Sequence, residues 1–291
     1  MLLLPYIALI ASLFFWGLSF IGSKIALTGF TPFALIFIRF GVASLFFIAF
    51  FLKRGIPRLS RRDHWRVFAT SLVQPWLYFI FETNALRYTS ASKVSLIIAT
   101  IPIFVLIITA FILKKRPSLL NLIGILGSLI GVALLVVGDD AFKWEMNTLL
   151  GDLLIFGAVI SAALYIISMR GLVQVYSAIE ITGLQFIYGA LLFAPEFLWE
   201  LPGIQWSGIN SQAIIAISAL TLFATVGAFG SYNYALSKIS ATKASIYLNG
   251  VPVVTVLGGW AILGERLSSL QFVGAAVILI AVLLTTLNQS D

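Results

Sequence analysis

The chain is built from blocks of about 20 consecutive apolar residues, separated by short clusters of charged or turn-forming residues. A helix rising 1.5 Å per residue needs about 20 residues to cross a hydrocarbon core of about 30 Å. Lipid offers no partner to backbone N–H and C=O groups, so only helices and closed barrels span a membrane. Barrel strands alternate apolar and polar residues, and these blocks do not. The pattern predicts an all-α integral membrane protein. Composition agrees: 60% of the 291 residues are hydrophobic and 10% are charged, against about 45–50% and about 25% in soluble domains.

Ten blocks are read as spans, near residues 5–27, 32–52, 66–87, 91–113, 118–138, 149–170, 179–200, 212–236, 243–263 and 268–287. The first lacks a basic flank and a small-residue cleavage pattern, which reads as a span and not a signal peptide. With the amino terminus in the cytoplasm, 12 of the 18 basic residues fall on the cytoplasmic side, among them Lys53, Arg54, Arg58, Arg61, Arg62 and Arg66. The positive-inside rule therefore places both termini in the cytoplasm. Asp152, Glu196 and Glu200 are read with the external connections. The net charge of +7 is explained by insertion, and no nucleic-acid partner is expected.

Shifted by 150 residues, positions 83–132 align with 233–282 without a gap, and 16 pairs are identical, including Lys93/Lys243, Pro102/Pro252 and Arg116/Arg266. The chain reads as a duplication, residues 1–140 and 141–291. Five spans per half is an odd number, so the second copy enters the membrane from the opposite face. Two inverted five-helix repeats are the architecture of secondary transporters with a midplane site and alternating access.

Trp16-Gly17-Leu18-Ser19-Phe20, Lys24, Pro32 and Arg39-Phe40 resemble the opening of an EamA domain of the drug/metabolite transporter superfamily. Ala85 to Lys93 with Pro102, and Ala235 to Ser245 with Pro252 and Leu263-Gly264-Glu265-Arg266, resemble its second signature. The resemblance covers nearly the whole chain. It implies the ten-helix fold of bacterial metabolite exporters of the plasma (inner) membrane, with amino-acid exporters most similar. The first copy departs from it with Lys114-Lys115-Arg116 where the second has Gly264-Glu265-Arg266, a difference confined to a loop.

A charge inside a span needs a partner or a water-filled cavity. Arg39 and Glu82 lie at similar depth and are expected to pair, as a structural ion pair or as a pair acting on substrate or protons. Gln74, Tyr78 and Glu82 follow i, i+4, i+8 spacing on one helix face. The repeat maps Glu82 onto Tyr232. Trp16 and Ser19 share a face of the first span, Tyr165 holds the corresponding place in the sixth, and Gln185 and Tyr188 stand three apart in the seventh. Together with Asn249 these residues predict an aromatic cavity with scattered hydrogen-bonding groups for a small amphipathic metabolite. The alternative for each is an interhelical hydrogen bond. Pro102 and Pro252 are expected to kink their spans and free carbonyls. Lys93 and Lys243 open spans 4 and 9, with snorkelling into the headgroups as the simplest account. Gly127 and Gly131 permit close helix packing, so spans 5 and 10 read as supports in a monomer or homodimer.

With no cysteine and a single histidine, His64, in a basic connection, no metal, cofactor or catalytic cluster is expected. A secondary transporter exporting small metabolites, most readily amino acids, is the expected function. A broader drug, metabolite or nucleoside exporter and a non-saturable channel are the alternatives.

Overall fold

A computed structural model describes residues 3–112, 118–138, 146–239, 244 and 247–287. Among them every regular element is helical: α1 (Leu3–Ala26), α2 (Pro32–Arg54), α3 (Arg61–Ser71), α4 (Tyr78–Ala85), α5 (Ala91–Ile98), α6 (Ile101–Ile112), α7 (Leu119–Val137), α8 (Met146–Val173), α9 (Ala178–Glu200), α10 (Ser211–Ala219), α11 (Phe229–Lys238), α12 (Val251–Gly258) and α13 (Ser269–Leu287). Six stretches are long and apolar enough to cross a membrane: Leu3–Ala26, Pro32–Arg54, Ala91–Ile112, Leu149–Val173, Ala178–Gly203 and Ser211–Lys238. Val251–Leu263 and Ser269–Ala281 are apolar but shorter. Leu45, Leu52, Phe111 and Trp199 stand exposed on the outside, as side chains facing lipid do.

Several expected spans are interrupted, and the breaks have local causes. Between α3 and α4 the backbone widens into a π turn over Leu72–Leu77, with Gln74 extended at φ −150° and ψ 122° ahead of Pro75. The unbroken face expected for Gln74, Tyr78 and Glu82 is corrected accordingly: Pro75 has no N–H for a helical bond, and the chain steps sideways before α4 begins. A second π turn, Leu220–Ala228, joins α10 to α11 at the matching place in the 150-residue alignment. Pro102 is the second residue of α6 and Pro252 the second of α12. Both stand where a helix starts and a missing donor costs nothing.

The packing follows the alignment. Helix α2 packs on α9 and α7 on α13, each pairing matched segments of the two copies. The α4–α8 contact corresponds to α11–α1, and α6–α8 corresponds to α12–α1. In the α7–α13 seam a Cβ added at Gly131 would lie 2.8 Å from the Gly274 carbonyl and 2.7 Å from the Ile278 side chain. Gly131→Val is thus expected to destabilise the protein by about 1–3 kcal/mol through overpacking, read as a lower midpoint in thermal unfolding in detergent. An unchanged midpoint refutes the tight seam.

Each end of the bundle is tied by charged groups. At one end Glu200 Oε2 accepts from the backbone N–H groups of Phe33 (3.0 Å) and Ala34 (3.1 Å) at the start of α2. Glu265 does the same at the start of α5. A carboxylate there meets unbonded N–H groups and the positive end of the helix dipole. At the other end Arg170 donates to the carbonyls of Leu236 and Ile239, where α11 finishes. There too Asp63 accepts from Ser60 and Tyr176, both at 2.6 Å, and from Arg66 at 3.0 Å. These hydrogen bonds, Ser60 foremost, push its carboxyl down to about 2.

Three charge assignments are corrected. Lys93 does not snorkel. It is buried, and its Nζ lies 2.9 Å from Asp152 Oδ1 on α8. Asp152 is therefore a buried partner and not a loop acid, and Glu196, inside α9, accepts from Trp76 Nε1 at 2.9 Å. Lys93 stands in the first turn of α5 and Asp152 in the second turn of α8, and the buried charge of each is held by the opposite one. Lys243 lies outside the described residues.

Candidate functional site

A cavity of about 50 Å³ lies where α1, α2, the first π turn, α4, α5, α6, α8, α11 and the start of α12 converge. Its polar and aromatic walls include Trp16, Ser19, Arg39, Gln74, Tyr78, Glu82, Tyr165 and Tyr232. Phe79 and Phe229, which spacing alone did not single out, complete the aromatic wall. Trp16 stacks edge-on against Phe229 with ring centroids 5.2 Å apart and tilts against Tyr232 at 5.1 Å. Such contacts hold the rings in fixed orientations at the centre of the bundle. The volume has room for a few water molecules, so a metabolite needs the surrounding helices to move apart.

The expected direct ion pair is not formed. Arg39 Nε donates to Thr225 Oγ1 at 3.2 Å, and its guanidinium lies 4.9 Å from the centroid of Phe79. Glu82 accepts from Thr83 Oγ1 at 2.9 Å. The two charges face the same cavity from α2 and α4 without touching. Thr225 lies in the π turn that follows α10, where the widened backbone turns its hydroxyl inward. Arg39 is thus steadied by the second copy's break, a contact that needs tertiary structure to be seen.

Two further polar atoms on the cavity wall lack a partner among the described residues: Gln74 Oε1 and the Tyr232 hydroxyl, both buried. A buried polar atom left unbonded costs about 1–3 kcal/mol, so a guest with complementary groups gains what the protein does not supply. The Tyr165 hydroxyl is already engaged, donating to Asn233 Oδ1 at 2.7 Å, while Asn233 Nδ2 donates to Thr182 Oγ1 at 2.8 Å. Asn233 and Thr182 are supports that the sequence reading missed. Asn233 falls in the aligned repeat beside Thr83, which is the signal that marks it.

Gln185 and Tyr188 do not reach the cavity, contrary to expectation. Gln185 stands behind the wall and donates from Nε2 to the Gln74 carbonyl at 2.9 Å. It holds the extended backbone of the first π turn, whose carbonyl has no helical partner. Tyr188 lies half-buried, with its hydroxyl 3.2 Å from His64 Nδ1 and its ring against Phe68. The face of α9 that carries them packs on α3, the first π turn and the Tyr165 hydroxyl and stops short of the cavity itself. Asn249 lies in a short turn, Leu248–Gly250, and its side chain is outside those described. Its neighbours Leu248 and Val251 line the cavity.

A second, wider groove of about 1130 Å³ runs between α1 and α10, lined by Phe15, Leu18, Ile21 and Phe223, with Lys24 and Glu265 among its polar residues. Ser19 belongs to both spaces. No group of three or more His, Cys, Asp or Glu side chains that could hold a metal occurs among the described residues.

The model of the EamA-like transporter family matches residues 3–137 and again residues 149–287. The chain belongs to this family. This EamA-like protein is 28% identical over 277 residues to an uncharacterized transporter of Archaeoglobus fulgidus, covering 95% of this chain and 96% of that one. It is 31% identical to the uncharacterized transporter YcxC of Bacillus subtilis, covering 97% and 93%. It is 28% identical to the WAT1-related protein At3g02690, chloroplastic, of Arabidopsis thaliana, covering 99% of this chain and 70% of that one. One solved crystal structure shares the fold of this EamA-like chain, with a TM-score of 0.71 at 18% identity, over 97% of this chain and 96% of that one. The EamA-like protein is accordingly a multi-pass membrane transporter of the drug/metabolite superfamily, acting on a small-molecule substrate.

Proposed function

We propose that this transporter exports zwitterionic metabolites, amino acids foremost, across a bacterial-type plasma membrane by alternating access. The observation that carries the reading is the placement of Arg39 and Glu82 on one cavity without a bond between them. A carboxylate answers the guanidinium with charge-assisted hydrogen bonds, and an ammonium answers Glu82. A zwitterion brings both. Trp16, Tyr78, Tyr165, Phe229 and Tyr232 surround that polar axis with aromatic faces that accept an apolar or aromatic side chain.

The transport cycle is read from the repeat. Residues 1–140 and 141–291 are taken as two five-span copies, ten spans in all, inverted relative to each other, with both termini in the cytoplasm. The exchange of packing partners between the copies supports this, as does the double match of the family model. The ends of the elements agree in side: Glu200 reaches α2 and Glu265 reaches α5 at one end, while Asp63 meets Tyr176 and Arg170 meets α11 at the other. Discontinuous helices around a central site are the form in which inverted-repeat transporters expose backbone groups to substrate.

Purified protein in liposomes loaded with unlabelled amino acid is expected to take up the labelled compound saturably, faster than empty liposomes do. Flux that is neither saturable nor stimulated from the far side indicates a pore and overturns the carrier. Saturable flux confined to compounds lacking a carboxylate overturns the zwitterion reading. Among the described residues Glu82 is the acid on the cavity wall, so proton coupling would run through it. Facilitated exchange is the simpler expectation, and uphill uptake under an imposed pH gradient refutes it.

A further inference from the structure

The loop after α12 is shaped to reach α5, and the aligned sequence of the first copy differs at each position that gives it that shape. Gly259–Leu263 form a π turn that closes on Gly264 in the left-handed conformation, φ 68°. Glycine takes that conformation without a Cβ clash. The turn delivers Glu265 to the start of α5, where Oε1 accepts from Ala91 N at 2.9 Å and Oε2 from Ser92 N at 3.0 Å and Ser92 Oγ at 2.6 Å. Gly259 lets the parts close up: a Cβ there would lie 2.8 Å from both Glu265 Oε2 and Ser92 Oγ. The contact joins two walls of the central cavity, α5 contributing Ile98 and α12 contributing Val251.

The 150-residue offset places Thr109 at Gly259, Lys114 at Gly264 and Lys115 at Glu265. All three departures act in one direction. A β-branched residue stands where close approach is needed, a lysine where the left-handed turn is needed, and an ammonium where a carboxylate is needed. An ammonium has no acceptor for backbone N–H groups and is repelled by a helix N-terminus. The receiving positions nevertheless persist in type, Ala91 and Ser92 matching Ala241 and Thr242.

We infer that Glu265 is a one-sided latch. It holds shut the end of the cavity that carries residues 88–91 and 264–268, and the aligned sequence of the first copy has neither the carboxylate nor the glycines from which the same latch could be built. Because inverted copies exchange their gates during a cycle, the two access states are unequally stable, with the latched end closed at rest. The inference rests on the alternating-access reading above.

The natural chain has no cysteine, so a single Ala162→Cys on the cavity wall reports access without background. Labelling by a membrane-impermeant maleimide is followed from each side of the membrane separately, in sealed vesicles of known orientation. Glu265→Ala is expected to raise the labelling rate from the latched side by roughly tenfold or more, as loss of a charge-assisted cap shifts the population. Gly259→Ala, which keeps the carboxylate but denies it room, is expected to do the same. Glu265→Gln, which keeps an acceptor, is expected to fall between. An unchanged rate in folded, monodisperse Glu265→Ala and Gly259→Ala overturns the latch. An equal rise from both sides also overturns it, since that is general loosening. The response is read without substrate, so the two readings fail separately. Side-selective labelling with no flux removes the transport reading alone, and saturable flux with unresponsive labelling removes the latch alone.

Discussion

Exchanging Lys93 for methionine is expected to remove most of the folded protein, because Asp152 then loses the ammonium that lies 2.9 Å from its carboxylate. Both side chains are buried, and removing one partner of such a pair costs about 3–5 kcal/mol. Whole domains are stable by only about 5–15 kcal/mol, so the single change consumes a large fraction of the margin. The second half of the prediction separates charge from shape. Lys93→Met combined with Asp152→Leu removes both charges together, which is expected to recover yield and thermal midpoint relative to Lys93→Met alone. Fluorescence-detected gel filtration of Lys93→Met, Asp152→Leu and the double variant is sufficient to check it. A single variant that elutes like the parent, or a double variant that fares worse than either single, shows that the pair does not hold α5 to α8.

Arg39→Gln carries the other large effect, on transport and not on folding. Its guanidinium bonds Thr225 and rests on Phe79, and glutamine keeps a donor for the threonine. The lost interaction is the charged one toward substrate. Hydrogen bonds to charged groups contribute about 1.5–3 kcal/mol, so the apparent affinity for an amino acid is expected to fall about tenfold to a hundredfold. Glu82→Gln is expected to weaken the same substrate comparably. The informative compound has its amine or its carboxylate blocked. Arg39→Gln is expected to spare substrates without a carboxylate, and Glu82→Gln those without an amine. Equal losses for blocked and unblocked compounds assign both residues to the scaffold.

The lipid-crossing character of the chain and its family were legible because both rest on local or periodic signals: block length, turn clusters and the 150-residue offset. The central cavity was largely legible for a related reason. Trp16, Tyr78, Glu82, Tyr165 and Tyr232 are polar or aromatic residues within otherwise aliphatic helices, and such residues turn inward in a bundle. Helical spacing misled where the helix was not regular. Gln74 leaves the α-helical path at Pro75, so its relation to Tyr78 and Glu82 comes from a break and not from a shared face. Gln185 and Tyr188 were assigned by polarity, but α9 presents that face to α3 and the π turn.

Partnerships across long sequence separations were not legible at all. Arg39 and Glu82 were matched by depth, yet Arg39 is held by Thr225, 186 residues away. Lys93 was given the ordinary fate of a lysine near a helix end because nothing local points to Asp152. The Gly264-Glu265-Arg266 difference between the copies reads as a loop substitution until Glu265 is seen on the start of α5.

The Lys93–Asp152 pair also sets a timetable. The two residues are 59 positions apart, and at synthesis rates of about 5–20 residues per second the aspartate is made about 3–12 s after the lysine. During that interval the nascent span beginning near Ala91 carries the Lys93 ammonium while the Asp152 carboxylate has not yet been synthesised. The contact that fixes α5 of the first copy against α8 therefore forms only after synthesis has passed into the second copy, so this part of the fold is completed between the two copies and not within the first.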